Sequence, residues 1–383
     1  MRKPIGLCVA GLLLAAVCQA QTTPPAMTLT KMDEAKQKDW LARWDKNISG
    51  EVKGYRVCES AVGEDIAWKM TGVMDGLYYG YMATKNTKYV DMLVDWADHL
   101  IKRAVKEPDG YFGWPSFAAA GTDVDNLDKT FDADSMLSDA MVFRPIVLMA
   151  GEMIKNPALK EKYGAKGVSY LKFAEQLYEK WAKRGGWRET KDGGMISVVL
   201  PYGLDPTRTK WIGFDTRNDP GHGFSHPNNK ANEVAMWMLA MWDVTGKPEY
   251  KEHAEKWFKL MKSRMPVKAD GTYEIWNYHQ PAGPWDYKPD GSTKHWVGVH
   301  PNGGYYQIDT TAIVAAYEHG LVFDKADIAR LIATSKKTNR RWSALAPYDV
   351  EIQKEFEASA NPDNWGGLGL SHYLMLQAKL AGK

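Results

Sequence analysis

Cysteine is scarce in this chain, which has 3 cysteines among 383 residues. Two of them, Cys8 and Cys18, fall at the start of the chain, and the remainder contains only Cys58, which excludes an intramolecular disulfide there. Excess charge is lacking too, because the formal net charge of +2 falls to about zero without Arg2 and Lys3. No overall field therefore attracts nucleic acid or a membrane surface, and we expect neither as a partner.

Long apolar runs are absent beyond the first residues. Residues 1–20 combine a basic start, an apolar run and small residues before Gln21, which predicts a secretory signal peptide cleaved after Ala20. The apolar run is too short to span a bilayer. We therefore expect a secreted or periplasmic protein in which residues 21–383 form a single domain.

Helical pairs recur along the rest of the chain, with a short turn inside each pair and a long stretch between pairs. The predicted pairs are 66–84 with 89–105, 138–154 with 167–183, 229–246 with 248–265, and 305–322 with 325–338. The long stretches cover about 106–133, 186–228, 266–304 and 339–363. Each is longer than a compact domain usually tolerates without a functional reason.

The two helices of each pair differ in their apolar surface. The first is apolar around most of its circumference, whereas the second has one apolar stripe and many lysines and glutamates, so the first helices form an inner layer and the second an outer one. This pattern predicts an all-α fold, an α/α toroid of helical hairpins, because an open solenoid would show a more regular repeat length. The first helix (32–48) and the last (366–382) would close the ring, and strand-like fragments at 194–203 and 271–279 predict small β-hairpins in the long loops.

In such a ring, every long loop emerges at the same face, beside the N-termini of the inner helices. The loops are rich in tryptophan and tyrosine, whose faces stack on sugar rings while their polar atoms bind hydroxyl groups. We therefore expect a sugar-binding cleft at this face, with Trp114, Trp296, Trp365 and Tyr278 among its binding residues.

The densest group of candidate site residues lies in 214–237, at the start of the third inner helix. It contains Arg217, His222, His226, Asn228, Asn229 and Asn232. A structural interpretation makes Asn228 or Asn229 an N-cap. Two histidines four residues apart can also suggest a metal site, but Gly223 and Pro227 make a continuous helix improbable there, and no acidic third ligand has a recognisable spacing. We expect neither a metal nor an organic cofactor.

A second group precedes the fourth inner helix. It contains His295, His300, Asn302, Tyr305 and Tyr306. One of the two adjacent tyrosines is expected to point into the ring and the other to pack. In the second inner helix, Arg144 is surrounded by apolar residues, where an unpaired charge is costly. Its partner is predicted to be a ligand or one of Asp132, Asp134 and Asp139.

Asparagine, histidine, tyrosine and arginine at one face are the side chains that β-elimination from a uronic acid requires. The C5 proton becomes removable only when the neighbouring carboxylate is neutralised, which an asparagine can do together with an arginine or histidine. A histidine or tyrosine then takes the proton, and a tyrosine donates one to the leaving oxygen.

With these residues, the chain resembles the α/α-toroid polysaccharide lyases, including alginate, glucuronan and heparinoid-type lyases, and polysaccharide lyase family 38 in particular. The resemblance covers about 60–380 and implies a secreted enzyme that acts on an acidic polysaccharide. It assigns Asn229 or Asn228 as neutraliser, His226 as base, Tyr305 (or Tyr306 or Tyr278) as acid and base, and Arg144 as carboxylate clamp. The chain departs from the family's Asn-Asn-His run, since His226 precedes the asparagines and Lys230 follows them, and no arginine is near Tyr305 in the sequence.

Two other interpretations stay open. The segment 68–100 is similar to the first hairpin of unsaturated uronyl hydrolases, which implies a glycoside hydrolase with Asp75, Asp134 and Asp139 as candidate acids. A non-catalytic glycan-binding protein would keep the aromatic residues without the acid and base. The sequence does not distinguish the uronic acid, internal from terminal cleavage, or the oligomeric state.

Overall fold

The computed structural model describes residues 26–116, 132–200, 202–212, 223–365 and 369–382. The predicted signal peptide, Arg217 and His222 lie outside these residues. Within them, the α-helices are α1 (Glu34–Gly54), α2 (Glu64–Thr84), α3 (Lys88–Lys102), α4 (Met136–Lys155), α5 (Pro157–Lys183), α6 (Asn228–Thr245), α7 (Pro248–Ser263), α8 (Gly303–Glu318), α9 (Lys325–Thr338), α10 (Val350–Ser359) and α11 (Leu370–Leu380). None of these described helices combines the length and apolarity needed to cross a membrane.

Short strands and 3-10 helices occupy the long loops. The strands are β1 (Val105–Lys106), β2 (Phe112–Gly113), β3 (Trp187–Glu189), β4 (Met195–Val199), β5 (Gly203–Leu204), β6 (Trp211–Ile212) and β7 (Phe224–Ser225). The 3-10 helices are Val57–Glu59, Pro284–Asp286 and Ser343–Tyr348. The strands β3, β4 and β7 form an antiparallel sheet in that order, beside two antiparallel pairs, β1 with β2 and β5 with β6.

Local signals fix where the inner helices begin and end. Ser135 accepts a hydrogen bond from the backbone of Ser138 at the start of α4, and Asn302 does the same for Gly304 at the start of α8. At the end of α6, Gly246 adopts φ 70°, a left-handed conformation that glycine adopts without steric cost. These caps place the helix N-termini where the long loops deliver their side chains.

The helices form two concentric layers, and the fold is an α/α toroid, as predicted. The inner layer comprises α2, α4, α6, α8 and α11, of which α4 and α6 are buried on nearly all sides. In the ring, α4 packs against both α2 and α6, while α6 packs against α8 and α11 against α2. The helices α3, α5, α7 and α9 each cover the inner helix that precedes them.

The two ends of the chain close the ring, as the sequence predicted. The backbone N–H of Met32, just before α1, donates to Gln377 Oε1 on α11 at 2.7 Å. Between α8 and α11 the wall is completed by the 3-10 helix Ser343–Tyr348, against which α10 packs.

The predicted small hairpins occur, but not in every expected segment. The fragment 194–203 supplies β4, whereas 271–279 takes part only in the isolated bridges Val267↔Tyr273 and His279↔Gly298. Two backbone carbonyl groups of this segment accept hydrogen bonds from the inner helices. Tyr278 O accepts from the Asn228 N–H at 2.9 Å, and Trp276 O accepts from the Tyr306 hydroxyl at 3.1 Å.

Candidate functional site

The N-termini of the five inner helices and the loops before them form one face of the ring, here called the mouth. The start of α6 anchors this face, because the backbone N–H of Asn228 donates to Tyr278 O at 2.9 Å. This hydrogen bond holds the segment before α8 against the segment before α6. The ring of Phe224 also stacks on His295 with centroids 5.7 Å apart, so the two predicted site groups, 214–237 and 295–311, are in contact here.

The two adjacent asparagines have different roles. Asn228 is fully buried, and its amide is occupied by Arg264 Nη1 at 2.7 Å and by the carbonyl of Asn277 at 2.8 Å. The structure therefore corrects the prediction that Asn228 binds substrate, because its polar atoms already have protein partners. Asn229 is also buried, but its Oδ1 has no hydrogen-bond partner in the described structure. A buried amide oxygen without a partner is rare inside a protein and suits a ligand group that donates a hydrogen bond.

His226 is held by β4. Its backbone N–H donates to Ser197 O at 2.9 Å, and its Nδ1 lies 2.9 Å from Ser197 Oγ. Only 3% of the residue is exposed. Burial, together with nearby Lys230 and His279, lowers the pKa of His226 to about 3, so the imidazole is neutral at physiological pH. No described residue hydrogen-bonds to Nε2, which leaves that nitrogen able to exchange a proton.

Aromatic and imidazole rings cover the mouth beside α8. The ring of Tyr305 stacks on Tyr278 with centroids 5.1 Å apart, and His300 lies 4.7 Å from Tyr305 and 4.9 Å from Tyr278. Trp296, whose centroid is 6.4 Å from that of Tyr278, is 52% exposed. Burial raises the pKa of Tyr278, with Tyr305 and Glu64 contributing, so its phenol keeps its proton.

The structure separates the two adjacent tyrosines. Tyr305 is half-buried in the aromatic group, whereas Tyr306 is buried, and its hydroxyl accepts from the His300 N–H at 2.9 Å and donates to Trp276 O at 3.1 Å. Tyr306 therefore joins the core, which corrects its predicted contact with substrate. The guanidinium of Arg340 lies over its ring, 4.8 Å from the centroid, so an arginine near the tyrosine pair in space was missed in the sequence.

Two of the predicted tryptophans also differ in burial. Trp114 is 3% exposed, and its indole N–H donates to Leu100 O at 2.9 Å, so it packs in the core and offers no free face to a sugar. The structure thus corrects that prediction. Trp365 is half-buried, with its ring against α2, where a Cβ at Gly72 would lie 3.0 Å from it.

Trp68 is a candidate binding residue that the sequence analysis missed. It is 45% exposed although it belongs to an inner helix. The spacing of Trp68, Gly72 and Asp75 places them on one side of α2, and the latter two line the ring interior. Trp68 therefore lies one turn closer to the mouth, and this helical spacing was the signal available in the sequence.

Below the mouth lies a central cavity of about 450 Å³, enclosed by all five inner helices and by Ser343–Tyr348. Arg144 faces this cavity and donates to Asp75 Oδ2 and to Glu233 Oε2, each at 2.5 Å. These partners replace the predicted Asp132, Asp134 or Asp139. Burial raises the pKa of both Asp75 and Glu233 more than the shared guanidinium of Arg144 lowers it, and the nearby Asp75 adds to the rise at Glu233.

The other predicted acids face away from the cavity. Asp134 and Asp139 each lie 2.8 Å from the Lys180 ammonium group, buried behind α4, and Asp132 pairs with Arg208 at 2.7 Å. A carboxylate with such a partner is not available to a substrate in the ring. Of the three aspartates considered for hydrolysis, Asp75 alone lines the cavity.

Helix α6 contributes residues to both the mouth and the cavity wall. Asn229 and Glu233 are four residues apart, so they lie on the same side of the helix, one turn from each other. Arg144, bound to Glu233, is therefore about one helical turn deeper than Asn229. The described parts of the chain contain no group of three or more His, Cys, Asp or Glu side chains able to hold a metal ion.

No family model and no curated protein matches this chain. Among solved structures, it is similar to the α-1,6-mannanase GH76A of Salegentibacter sp. HEL1_6, with 13% identity over 91% of this chain and 100% of that one and a TM-score of 0.49. It is similar to the cellobiose 2-epimerase of Bacillus thermoamylovorans B4167, with 12% identity over 90% and 85% of the chains and a TM-score of 0.47. For the unsaturated glucuronyl hydrolase of Bacillus sp. GL1, the identity is 12% over 95% and 92%, with a TM-score of 0.42. These values leave the reaction of this chain open.

Proposed function

We propose that this protein is a carbohydrate-active enzyme that cleaves a uronic-acid polysaccharide of the alginate or glucuronan type by β-elimination. The proposal rests on two observations: His226 and Asn229 are buried at the start of α6, and the loop that carries the Tyr278–Tyr305 stack is hydrogen-bonded to that same helix start through Tyr278 O. Exposed Trp68 and Trp296 supply flat faces there for sugar rings. The basic and apolar leader at residues 1–20 supports action outside the cytoplasm, where a polymer is encountered.

Binding begins with the uronosyl carboxylate. The amide N–H groups of Asn229 donate to it and stabilise the charge that spreads onto it when the C5 proton leaves. The buried position of Asn229 strengthens this interaction, since water does not compete for the amide. Asn228 holds the α6 start in place through Arg264 and Asn277.

Proton transfer then uses the imidazole and a phenol. With a proton on Nδ1 donated to Ser197, Nε2 of His226 carries a lone pair that takes the C5 proton. The electrons of the C5–H bond form the C4–C5 double bond, the C4–O bond breaks, and the leaving oxygen receives the phenolic proton of Tyr305. The imidazolium proton returns to the tyrosinate, which restores both groups.

Arg144 has a different role in this scheme from the one the resemblance implies. Both of its hydrogen-bonding sides are occupied by Asp75 and Glu233, so it does not clamp the substrate carboxylate. It holds the carboxylates of Asp75 and Glu233 at the wall of the central cavity. A guanidinium that already binds two carboxylates has little affinity left for a third.

Hydrolysis is the second candidate, and one specific observation favours it. Asp75 and Glu233 line the cavity side by side on one guanidinium, and burial raises the pKa of both. A protonated carboxylic acid can protonate a leaving oxygen while its neighbour acts on the sugar or on a water molecule, as glycosidases require. A protein that only binds glycans is the third candidate. It would need neither the imidazole and phenol of the proposed elimination nor the two carboxyl groups of hydrolysis.

The deciding experiment gives the whole protein a panel of alginate, glucuronan and a neutral mannan. Elimination produces an unsaturated uronide that absorbs near the far-ultraviolet edge, with one new reducing end for each double bond. Hydrolysis produces reducing ends without that absorbance, and a glycan-binding protein retards in affinity gels without either product. Reducing ends without absorbance on the acidic polymers would contradict the proposed elimination.

A further inference from the structure

A second cavity, of about 270 Å³, lies beside the central cavity at the gap between α8 and α11. Ser343 and Phe356 line both cavities and form the wall between them. The polar part of the second lining comes from α8, from the segment after α9 and from α10. It includes Gln307, Arg341, Glu355, Ser359 and Asn361.

Arg341 is the cation of this second cavity. Its side chain is exposed, and within the described ranges it has no ion pair or hydrogen bond. Glu355 lines the same cavity, yet no ion pair within 4.0 Å joins it to Arg341. By contrast, Arg144 and Arg208 are each bound to carboxylates. A guanidinium left open in a polar cavity presents its planar fork of N–H groups to an incoming acid.

Gln307 adds a positioned amide next to this guanidinium. Its Nε2 donates to Ser343 Oγ at 2.6 Å, which fixes the amide plane and leaves the Ser343 hydroxyl proton free to point into the cavity. Gln307 is two residues after Tyr305, and at 100° per residue the two side chains leave α8 on nearly opposite sides. The first turn of α8 therefore separates the proposed catalytic tyrosine from the second cavity.

We propose that this second cavity is a substrate subsite in which Arg341 binds the carboxylate of another uronosyl residue of the polymer. Because the first turn of α8 lies between Tyr305 and this cavity, the sugar at Arg341 is not the immediate neighbour of the sugar at Tyr305 but a more distant residue of the same polymer chain. Glu355 disfavours a second anion, so the subsite takes one carboxylate and hydroxyl groups. The inference deepens the proposed function and rests on it for the identity of the polymer, but binding at Arg341 is measured separately from bond cleavage.

The experiment measures binding of oligouronates to the whole protein by calorimetry at 0.15 M salt, with the same oligosaccharides reduced at their carboxyl groups as a neutral probe. The variants are Arg341→Gln, Arg341→Lys and, as a matched control, Lys354→Gln. Lys354 is exposed on α10 and does not line the cavity, so its replacement removes the same charge elsewhere. We expect Arg341→Gln to raise Kd for the oligouronate about tenfold or more, because a charge-assisted bidentate contact is lost.

The remaining outcomes separate the two proposals. We expect Arg341→Lys to recover part of the affinity, Lys354→Gln to stay within about twofold of wild type, and the neutral probe not to distinguish Arg341→Gln from wild type. Equal Kd values for wild type and Arg341→Gln, an equal loss on the neutral probe, or no oligouronate binding at all would overturn the subsite. Oligouronate binding that depends on Arg341 in a protein without eliminase activity would refute the reaction and retain the subsite.

Discussion

Tyr305 and Tyr278 stack with their ring planes 27° apart and their centroids 5.1 Å apart, although one begins α8 and the other belongs to the loop before it. Both rings lie within 5 Å of the His300 imidazole, while the hydroxyl of the neighbouring Tyr306 is hydrogen-bonded in the core. The stack therefore presents two phenols of which one can serve as the proton donor. A Tyr→Phe substitution removes each hydroxyl group and keeps the ring, so the two phenols can be tested separately.

Tyr305→Phe should abolish most turnover while preserving the stack on Tyr278. General acid catalysis contributes about 10²- to 10⁴-fold, so kcat should fall by that amount with little change in KM or Tm. Tyr306→Phe is the matched control. It loses the hydrogen bonds to His300 and Trp276 and should lower the free energy of unfolding by about 1–2 kcal/mol. Near-normal kcat in Tyr305→Phe, with a loss in Tyr278→Phe instead, would move the acid to Tyr278.

The two asparagines of α6 provide a second matched pair. Asn229→Ala removes an amide whose oxygen has no described protein partner, so folding should be preserved while kcat/KM falls by about 10²-fold or more. Asn228→Ala removes the partner of Arg264 and of the Asn277 carbonyl and should destabilise the protein by about 1–3 kcal/mol. Tm and turnover measured on both variants check the assignment. The reverse pattern, with Asn229→Ala unstable and Asn228→Ala inactive but stable, would contradict it.

The architecture was accessible from the sequence because it follows from periodicity. An inner helix such as α4 must be apolar all round, whereas an outer helix such as α3 has one apolar stripe. The apolar pattern of each helix therefore predicts its layer. The placement of the loops at one face follows from the same pairing. The segment 271–279 forms isolated antiparallel bridges without a continuous strand, because two of its carbonyl groups accept hydrogen bonds from α6 and α8, and such long-range partners cannot be read from the local sequence.

Side-chain partners were harder to predict for the same reason. Arg144 and Glu233 are 89 residues apart, so their ion pair depends on which inner helices become neighbours. Burial also decided between adjacent residues of equal chemistry, such as Tyr305 and Tyr306, and a quarter turn of the helix separates them. Trp68 was missed although its helical spacing to Gly72 and Asp75 was readable.

The low pKa of His226 makes a signed prediction about stability. Its folded pKa is about 3 and the ordinary value is 6.5, so between these values the unfolded chain binds a proton that the folded chain does not. Unfolding is therefore favoured as pH falls. At pH 5, His226 lowers the free energy of unfolding by about 2 kcal/mol. Denaturant unfolding at pH 7.5 and pH 5 should show a smaller drop in His226→Asn than in wild type.

Other buried groups titrate in the same range, which is why the comparison uses a difference between proteins. Burial lowers the pKa of His279 and His372 to about 4, and it raises that of Asp309 to about 7, with the opposite effect on stability. These groups are present in both wild type and His226→Asn. An equal pH-dependent drop in the two proteins would show that His226 is not buried in the neutral form.

The exposed tryptophans should affect binding, and the buried one should affect folding. Trp68→Ala and Trp296→Ala each remove a face from the mouth and should raise KM about three- to tenfold, with Tm nearly unchanged. Trp114→Ala should instead cost about 3–5 kcal/mol of stability, because it leaves a cavity between α3 and the Phe143–Phe173 stack. Kinetics and thermal unfolding of the three variants check this division, and a stable Trp114→Ala with a raised KM would contradict it.

The pair of acids on Arg144 distinguishes elimination from hydrolysis. Glu233→Gln keeps a side-chain oxygen that can accept from Arg144 but removes the acid, so an enzyme that works through His226 and Tyr305 should keep kcat within about tenfold. A hydrolase that uses Asp75 and Glu233 should lose about 10²- to 10⁴-fold in the same variant. Arg144→Met provides the structural control. It leaves two mostly buried carboxylates without a cation, should cost about 3–5 kcal/mol near neutral pH, and should recover stability as the acids are protonated at lower pH.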